Sequence, residues 1–261
     1  TEGMDQIPLH YLDTSNNILG IEYLKALIKL QSPMKPVTIR REGAAYTDTT
    51  LSHQFASATS IRKALSIDHH QVISHFVPES TYTILKQYHG VRSPLFWDDF
   101  YPVLCQKLPD ATPSSLKEVT DVREGLENSI LSALWTSKDF DSMVDAIVSK
   151  RYTRTRIQRA LTKILLGLIE ETEALLSASD TTAYARLLGF RKEAGQLIRM
   201  IKSRSFVPLI STLSKEMDLL GDTGKRQLQL DCYATSLYRL AVRHKYGHDI
   251  GHEYTHTTIV Y

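Results

Sequence analysis

The fold of this chain is best approached from the stretch Ala56-Ser57-Ala58-Thr59-Ser60-Ile61-Arg62-Lys63-Ala64-Leu65, where three hydroxyl side chains precede a run with helical periodicity. Serine and threonine are favoured at helix N-caps because their oxygen atoms accept hydrogen bonds from unpaired backbone N–H groups of the first turn. Those N–H groups and the helix dipole attract anions, and the guanidinium of Arg62 can bind a phosphate through two hydrogen bonds. We therefore interpret Ser57, Thr59, Ser60 and Arg62 as a candidate phosphate loop. A capped helix without a ligand is the alternative.

The residues before this stretch predict an α/β arrangement. A polar cluster that includes Asn17 precedes an amphipathic helical pattern, and the β-branched run at 37–41 is typical of a short strand that ends at Arg40 and Arg41. In an open parallel sheet, ligands bind beyond the carboxyl ends of the strands. Asn17, Arg40 and Arg41, together with the hydroxyl-rich helix start, therefore predict a site for the phosphates of a nucleotide.

Long helical periodicity begins near residue 114 and continues through most of the chain. We divide the chain into an α/β part, residues 1–80, and a mostly α-helical domain, residues 81–261. Within the second domain the apolar spacing predicts six helices, near 124–135, 139–149, 155–177, 181–202, 206–219 and 229–245.

A strongly basic run opens the third of these helices. Six positive charges and no acidic residue lie in the fourteen residues 150–163. Apolar residues from Ile157 onward form one face of the predicted helix, and several cations lie on roughly the opposite face. Such a cluster is typical of a surface that contacts the RNA backbone, although a solvated helix face is the alternative. The candidate RNA-binding residues are Lys150, Arg151, Arg154, Arg156, Arg159 and Lys163.

Composition restricts the classes of protein to which this chain can belong. The net charge is only +2 over 261 residues, so an RNA-binding surface requires local clustering of cations. Cys105 and Cys232 are far apart in sequence, which argues against a disulfide framework or a cysteine zinc site. No apolar run approaches the roughly 20 residues that span a bilayer, so no membrane association is predicted.

Four histidines recur every fourth residue near the C-terminus, at His244, His248, His252 and His256. Gly247 interrupts the helix that would align them, and no acidic ligand motif accompanies them. We therefore predict no metal site and a loosely packed C-terminal tail.

Several segments together resemble the tRNA(Met) cytidine acetate ligase family, within the HIGH-type nucleotidyltransferase superfamily. The segments that carry the resemblance are Ser15-Asn16-Asn17-Ile18-Leu19-Gly20-Ile21-Glu22-Tyr23, Thr38-Ile39-Arg40-Arg41-Glu42-Gly43-Ala44, the Ser57–Arg62 stretch, the basic run at 150–159 and Ala185-Arg186-Leu187-Leu188-Gly189-Phe190. The resemblance implies a Rossmann-like α/β nucleotidyltransferase remnant followed by a mostly α-helical, tRNA-binding domain. Residues 1–80 would then be the C-terminal part of the nucleotidyltransferase domain.

The resemblance also implies an activity. A cytoplasmic bacterial enzyme of this family would use ATP, together with Mg²⁺, and acetate to form acetyl-adenylate. It would then acetylate the wobble cytidine of elongator tRNA(Met). Asn17, Arg40 and Arg41 match the family's ATP-binding positions, and the Ser57–Arg62 stretch matches the phosphate loop of the superfamily.

One departure from the family limits the expected activity. The HxGH-like catalytic motif of the superfamily is absent, so no catalytic residue is assigned and we expect the chain alone to be catalytically impaired. Two alternatives stay open: a non-catalytic RNA-binding module, and an adenylyltransferase that acts on a small-molecule phosphate ester. The sequence does not fix the oligomeric state.

Overall fold

A computed structural model describes residues 14–39, 56–67, 70–91, 93–177 and 182–261. The chain divides into two compact units, Thr1–Gln87 and Tyr88–Tyr261, whereas the sequence analysis divides it at residue 80. Within the described ranges, no helix has the length and apolar character needed to cross a bilayer.

The first unit is helical in its described part. Its helices are α1 (Ser15–Lys29), α2 (Ala58–Ser66), α3 (His70–Ile73) and α4 (Glu79–Tyr88), the last of which ends at the unit boundary. The helix predicted after Asn17 is confirmed as α1. The strand predicted at 37–41 is wrong for its described part, since residues 37–39 are irregular and exposed. β-branched composition favours a strand only where neighbouring backbone is available for pairing.

The second unit contains nine α-helices in its described part. They are α5 (Tyr101–Lys107), α6 (Pro113–Leu116), α7 (Leu126–Leu134), α8 (Phe140–Ile147), α9 (Arg154–Leu166), α10 (Glu170–Ser177), α11 (Gly195–Arg204), α12 (Leu213–Glu216) and α13 (Asp222–Tyr246). Short 3-10 helices cover Trp97–Asp99, Lys192–Ala194, Met217–Leu219 and Glu253–Thr255.

Helices α5 to α9 enclose the larger hydrophobic core. The apolar face predicted for the basic helix is confirmed, since Ile157 and Leu161 of α9 are fully buried in this core. The single helix predicted at 155–177 is wrong, because Gly167 adopts a left-handed conformation (φ 67°) and ends α9. Glycine adopts this conformation without the steric penalty of a side chain, so it commonly stops a helix.

Two small parallel sheets form the second half of this unit. Strand β1 (Ala185–Arg186) pairs with β3 (Leu209–Ile210), and β2 (Gly189–Phe190) pairs with β4 (Ile259–Val260). The helices predicted at 181–202 and 206–219 are therefore correct only in part, since β1, β2 and β3 occupy their starts. A smaller core joins Ile210 and Leu213 to Leu228 and Cys232 of α13.

The C-terminal segment is packed, so the prediction of a loose tail is wrong. Asp249 accepts hydrogen bonds from Arg239, Glu253 accepts one from Arg186, and β4 pairs with β2. The expected interruption of the histidine series is confirmed, because Gly247 ends α13 with a φ of 78°. Across the described part of the chain, no group of three or more His, Cys, Asp or Glu side chains is placed to hold a metal ion.

Candidate nucleotide and RNA-binding sites

The hydroxyl-rich stretch forms the start of α2, as predicted. Ser57 is the N-cap, and its Oγ accepts a hydrogen bond from the backbone N–H of Ser60 at 3.0 Å. The Ser60 hydroxyl donates to the Ser57 carbonyl oxygen at 2.8 Å, and both serines are only 1% exposed. These two hydroxyls therefore stabilise the helix start. Arg62 is exposed at the start of the second turn of α2, and side chains of a helix lean towards its N-terminus, so this cation can reach an anion held there.

The other predicted nucleotide-binding residues lie elsewhere in the first unit. Asn17 is exposed in the first turn of α1. Arg40 and Arg41 lie outside the described residues. The convergence of Asn17, Arg40 and Arg41 with the start of α2 therefore stays a prediction.

The basic run is placed at the start of α9 and immediately before it. Thr153 is the N-cap of α9, with its hydroxyl oxygen 3.4 Å from the backbone nitrogen of Arg156 that donates to it. Lys150 and Arg151 precede the cap and are exposed. Because the apolar face of α9 is buried in the core, the cations of α9 lie on the sides of the helix that face away from the core.

Asp121 is the main acidic partner of these cations. Arg159 donates two hydrogen bonds to its carboxylate, at 2.8 and 2.6 Å, and Lys163 lies 2.8 Å from it. The hydrogen bonds from Arg159, followed by those from Lys163, hold the pKa of Asp121 well below its usual range. Lys163 also pairs with Glu173 of α10 at 2.7 Å. Burial opposes the charge of Lys163, but its hydrogen bonds to the two carboxylates outweigh burial and raise its pKa.

The remaining arginines of the run also face carboxylates. Arg154 pairs with both Asp141 and Asp145 of α8. The carboxylate of Glu124 lies 3.6 Å from Arg151 and 3.7 Å from Arg156. Within the described ranges, Lys150 has no ion-pair partner.

The α9 charge network, as we call these six cations and five acids, has a formal charge of only +1. Sequence reasoning missed the acids, which come from separate segments at 121–124, 141–145 and 173. The acidic residues at 139–145 are visible in the sequence as possible partners for the cations. Their proximity to α9, however, depends on how the helices pack. The RNA-contact role of the basic run stays a prediction.

Sequence reasoning also missed a second charged site, at the family-like segment that contains Arg186. The guanidinium of Arg186 donates a hydrogen bond to the carboxylate of Glu253, which is 8% exposed. These residues are 67 positions apart in sequence, so no local pattern relates them.

Comparison with known proteins agrees with this architecture. The sequence profile described as HIGH Nucleotidyl Transferase matches residues 3–253. The chain belongs to the HIGH nucleotidyl transferase family. The resemblance found in the sequence is confirmed, because curated relatives within this family are named tRNA(Met) cytidine acetate ligase.

Two of these relatives illustrate the extent of the similarity. The protein from Acetivibrio thermocellus is 37% identical over 254 residues, which are 95% of this chain and 61% of the relative. The protein from Caldanaerobacter subterraneus is 36% identical over 233 residues, which are 89% of this chain and 56% of the relative. The chain thus spans less than two thirds of the length of these curated relatives.

Solved structures confirm the fold class of this HIGH nucleotidyl transferase family member. The apo crystal structure of Thermotoga maritima TmcAL matches with a TM-score of 0.85 and 23% identity, over 95% of this chain and 61% of that chain. The same protein bound with alpha-thio ATP matches with a TM-score of 0.81 and 21% identity, over 95% of this chain and 60% of that chain. At these identities the likeness concerns the fold.

Proposed function

We propose that this chain is part of an ATP-dependent ligase that acetylates the wobble cytidine of elongator tRNA(Met) in the cytoplasm. The observation that carries the proposal is the 37% identity to a tRNA(Met) cytidine acetate ligase over 95% of the chain. ATP and acetate would form acetyl-adenylate with release of pyrophosphate. The exocyclic amine of the cytidine would then take the acetyl group, with loss of one proton and release of AMP. The binding of alpha-thio ATP by a protein of the same fold supports ATP as the nucleotide.

The start of α2 suits the phosphate chemistry of adenylate formation. Negative charge develops on the α-phosphate and on the leaving pyrophosphate, and preorganised N–H groups and arginines stabilise it. The buried Ser57 and Ser60 fix the helix N-terminus, and Arg62 is exposed beside it. Arg40, Arg41 and Asn17 would complete the nucleotide site. Mg²⁺ would accompany the ATP phosphates, as is usual for nucleotide substrates.

The basic run supplies the proposed tRNA contact, although its residues differ in availability. Arg159 and Lys163 are held by Asp121, whereas Lys150 is exposed and has no ion-pair partner in the described part of the chain. A cation without an acidic partner can contact a phosphate without first losing an ion pair. Lys150 is therefore the residue of the run best placed to contact the tRNA backbone.

The proposal is tested with the 261-residue chain and elongator tRNA(Met) transcript. We expect filter binding to show retention of this tRNA in preference to an initiator tRNA(Met) transcript. Loss of binding, or equal binding of both transcripts, would overturn the proposal. Acetyl transfer is measured in the same mixture after addition of ATP and radiolabelled acetate. Transfer of acetate to the tRNA by this chain alone would overturn our expectation that the chain is catalytically impaired.

Substitution of Lys150 tests the contact surface. We expect Lys150→Ala to weaken tRNA binding severalfold and to reduce the slope of log affinity against log salt by about 1, the value for one lost phosphate contact. Lys138→Ala is the matched control, because Lys138 is an exposed lysine of the same unit outside the basic run. An equal effect of both substitutions would show that the basic run has no special role.

A further inference from the structure

A second basic surface of the second unit lies on α11 and the residues at its two ends. We call it the α11 surface, residues 191–206. Its cations that are exposed and that form no ion pair within the described part of the chain are Arg191, Lys192, Arg199 and Arg204. A fifth cation, Lys202, is paired with Glu216. Glu193 is the one acidic residue of the segment, so the surface together with Glu216 has a formal charge of +3.

This charge differs from that of the α9 charge network, in which acids reduce six cations to a formal charge of +1. A cation held in an ion pair has to lose that pair before it can contact a phosphate group. The four unpaired cations of the α11 surface have no such cost. The α11 surface therefore attracts a polyanion more strongly than the cation-rich start of α9 does.

One side of α11 is fixed to the rest of the unit. Ile198 is half-buried, and Lys202, one turn further on, donates hydrogen bonds to the Ser211 hydroxyl at 2.9 Å and to Glu216. The opposite side of the helix faces solvent. The exposed cations are thus presented by a helix whose position is already set, which reduces the entropy that a ligand would lose in ordering them.

Phe206 projects from the end of the α11 surface and is fully exposed. The backbone on either side of it is held in place. The Ser205 hydroxyl accepts a hydrogen bond from the N–H of Val207 at 3.1 Å and donates one to its carbonyl oxygen at 2.8 Å. Pro208 then accepts a hydrogen bond from Ala185 at the start of the β1–β3 pairing. An aromatic ring on a fixed turn, with no protein surface to cover it, is suited to stack on a flat ligand group.

The distribution of apolar residues on α11 separates two kinds of polyanion. Leu197, Met200 and Ile201 are between 40% and 53% exposed. Arg204 follows Leu197 by seven residues, so it lies on the same side of the helix and interrupts the apolar stripe. Helices that lie on a membrane surface separate an apolar face from a charged one, whereas single-stranded nucleic acid offers phosphates and flat bases alternately. The mixed surface of α11 therefore fits nucleic acid better than a lipid bilayer.

We propose that the α11 surface binds a single-stranded segment of RNA. The four unpaired cations contact successive phosphates, and Phe206 stacks on an unpaired base. This inference rests on the proposed function, because that function makes RNA the ligand. It adds the surface that holds the RNA, which the basic run at 150–163 does not by itself provide.

The first experiment removes two of the unpaired cations. Anisotropy titrations measure binding of a fluorescently labelled uridine dodecamer and of elongator tRNA(Met) to the 261-residue chain. We expect Arg199→Ala/Arg204→Ala to weaken both complexes about tenfold and to reduce the slope of log affinity against log salt by about 1.4 to 2, the range for two lost phosphate contacts. The matched control is Lys86→Ala/Lys138→Ala, which removes the same charge from exposed lysines outside the α11 surface. Unchanged binding by the α11 variant, or an equal loss in the control, overturns the proposal.

The second experiment tests the stacking of Phe206. We expect Phe206→Leu to weaken dodecamer binding about fivefold or more without a change in the salt slope, because a base–aromatic stack is lost and no phosphate contact is. Phe206→Tyr keeps the ring and should bind within about twofold of the unmodified chain. Because Phe206 is fully exposed, neither substitution disturbs the core. Normal binding by Phe206→Leu, or equal losses in both variants, overturns the stacking contact.

A measurement on the unmodified chain is independent of any substitution. Ultraviolet cross-linking of the uridine dodecamer, followed by trypsin digestion and mass spectrometry, should place a cross-link in the peptide 205–215, in which Phe206 is the one aromatic residue. Cross-links confined to other peptides would overturn the assignment. Vesicles of phosphatidylserine that sediment the unmodified chain but not Arg199→Ala/Arg204→Ala, with RNA binding unchanged, would identify a membrane surface as the ligand instead of RNA.

The outcomes separate this inference from the proposed function. Preference for elongator over initiator tRNA(Met) that persists unchanged in Arg199→Ala/Arg204→Ala retains the proposed function and overturns this inference. Equal binding of the two tRNAs, with both weakened in that variant, overturns the proposed function and retains this inference. A chain that binds neither tRNA nor the dodecamer loses both.

Discussion

The α9 charge network and the α11 surface are both rich in cations, but they differ in how far acidic residues neutralise those cations. Asp121 accepts bonds from Arg159 and Lys163, and Lys163 reaches Glu173 as well, so charges from three segments neutralise one another. Four of the five cations of the α11 surface have no acidic partner among the residues that the structure describes. A cluster with mutually satisfied charges holds helices together, whereas cations without partners can bind an anionic ligand. Local charge density therefore does not by itself identify a binding surface.

Substitution of Asp121 should produce the largest effect on stability. Asp121→Asn leaves Arg159 and the largely buried Lys163 without their shared carboxylate. We expect a loss of about 2 kcal/mol in the free energy of unfolding, below the range for a fully buried pair because Arg159 is partly exposed. Urea denaturation at pH 7 measures this loss. A loss below about 0.5 kcal/mol, as for an exposed surface pair, would contradict this role of Asp121.

Substitution of Glu216 should lower the free energy of unfolding by an intermediate amount, and this loss should depend on pH. Glu216 accepts hydrogen bonds from the backbone N–H groups of Ser211 and Thr212 and pairs with Lys202 at 2.5 Å, so it holds α11 against the segment that leads into α12. Burial opposes the charge of Glu216, but the hydrogen bond from Lys202 and those from the backbone outweigh it and lower its pKa to about 2.

Because the folded state holds this carboxylate deprotonated, its contribution is complete above the unfolded pKa of about 4.3 and is lost as the pH falls towards 2. We expect Glu216→Gln to cost about 1.5 kcal/mol at pH 7, a typical value for hydrogen bonds to a charged group. Urea midpoints between pH 7 and pH 2.5 should converge for the two proteins as the pH falls. A constant difference would show that the charge of Glu216 does not stabilise this contact with α11.

Substitution of Asp141 should cause the smallest loss in the free energy of unfolding. Its side chain is 71% exposed, and Arg154 keeps a second partner in Asp145 when Asp141 is changed. Surface ion pairs contribute little and are screened by salt, so Asp141→Asn should cost less than about 0.5 kcal/mol. Thermal unfolding at 0.05 and 0.5 M salt checks this value. If Asp141→Asn and Asp121→Asn lowered the free energy of unfolding equally, the exposed Asp141 and the largely buried Asp121 would contribute alike, which contradicts this prediction.

The sequence predicts those elements that depend on neighbouring residues. Ser57 caps α2 because its hydroxyl reaches an N–H three residues away, and Ile157 lies in the core because α9 repeats its apolar face every three or four residues. The resemblance of these and other segments to a known family was also sufficient to predict the family to which the chain belongs.

The two-residue strands were missed because they are too short to show alternation of apolar and polar residues. Strand β2 pairs with β4, about 70 positions further along the chain, and the backbone hydrogen bonds of that pairing leave no local pattern. The same pairing orders the C-terminal segment, which looked like a loose tail because its glycines and histidines favour no regular element.

The sequence by itself determined where α2 starts, which face of α9 is apolar and to which family the chain belongs, because each of these depends on residues close together in sequence. Only the tertiary structure decided which charges neutralise one another and which cations keep no acidic partner in the described part of the chain. Asp121 meets Lys163 across 42 positions and Arg186 meets Glu253 across 67, and such contacts depend on how helices and strands pack. Coulomb energy depends on distance in space, so the same arginine can be held in an ion pair or remain available for a ligand.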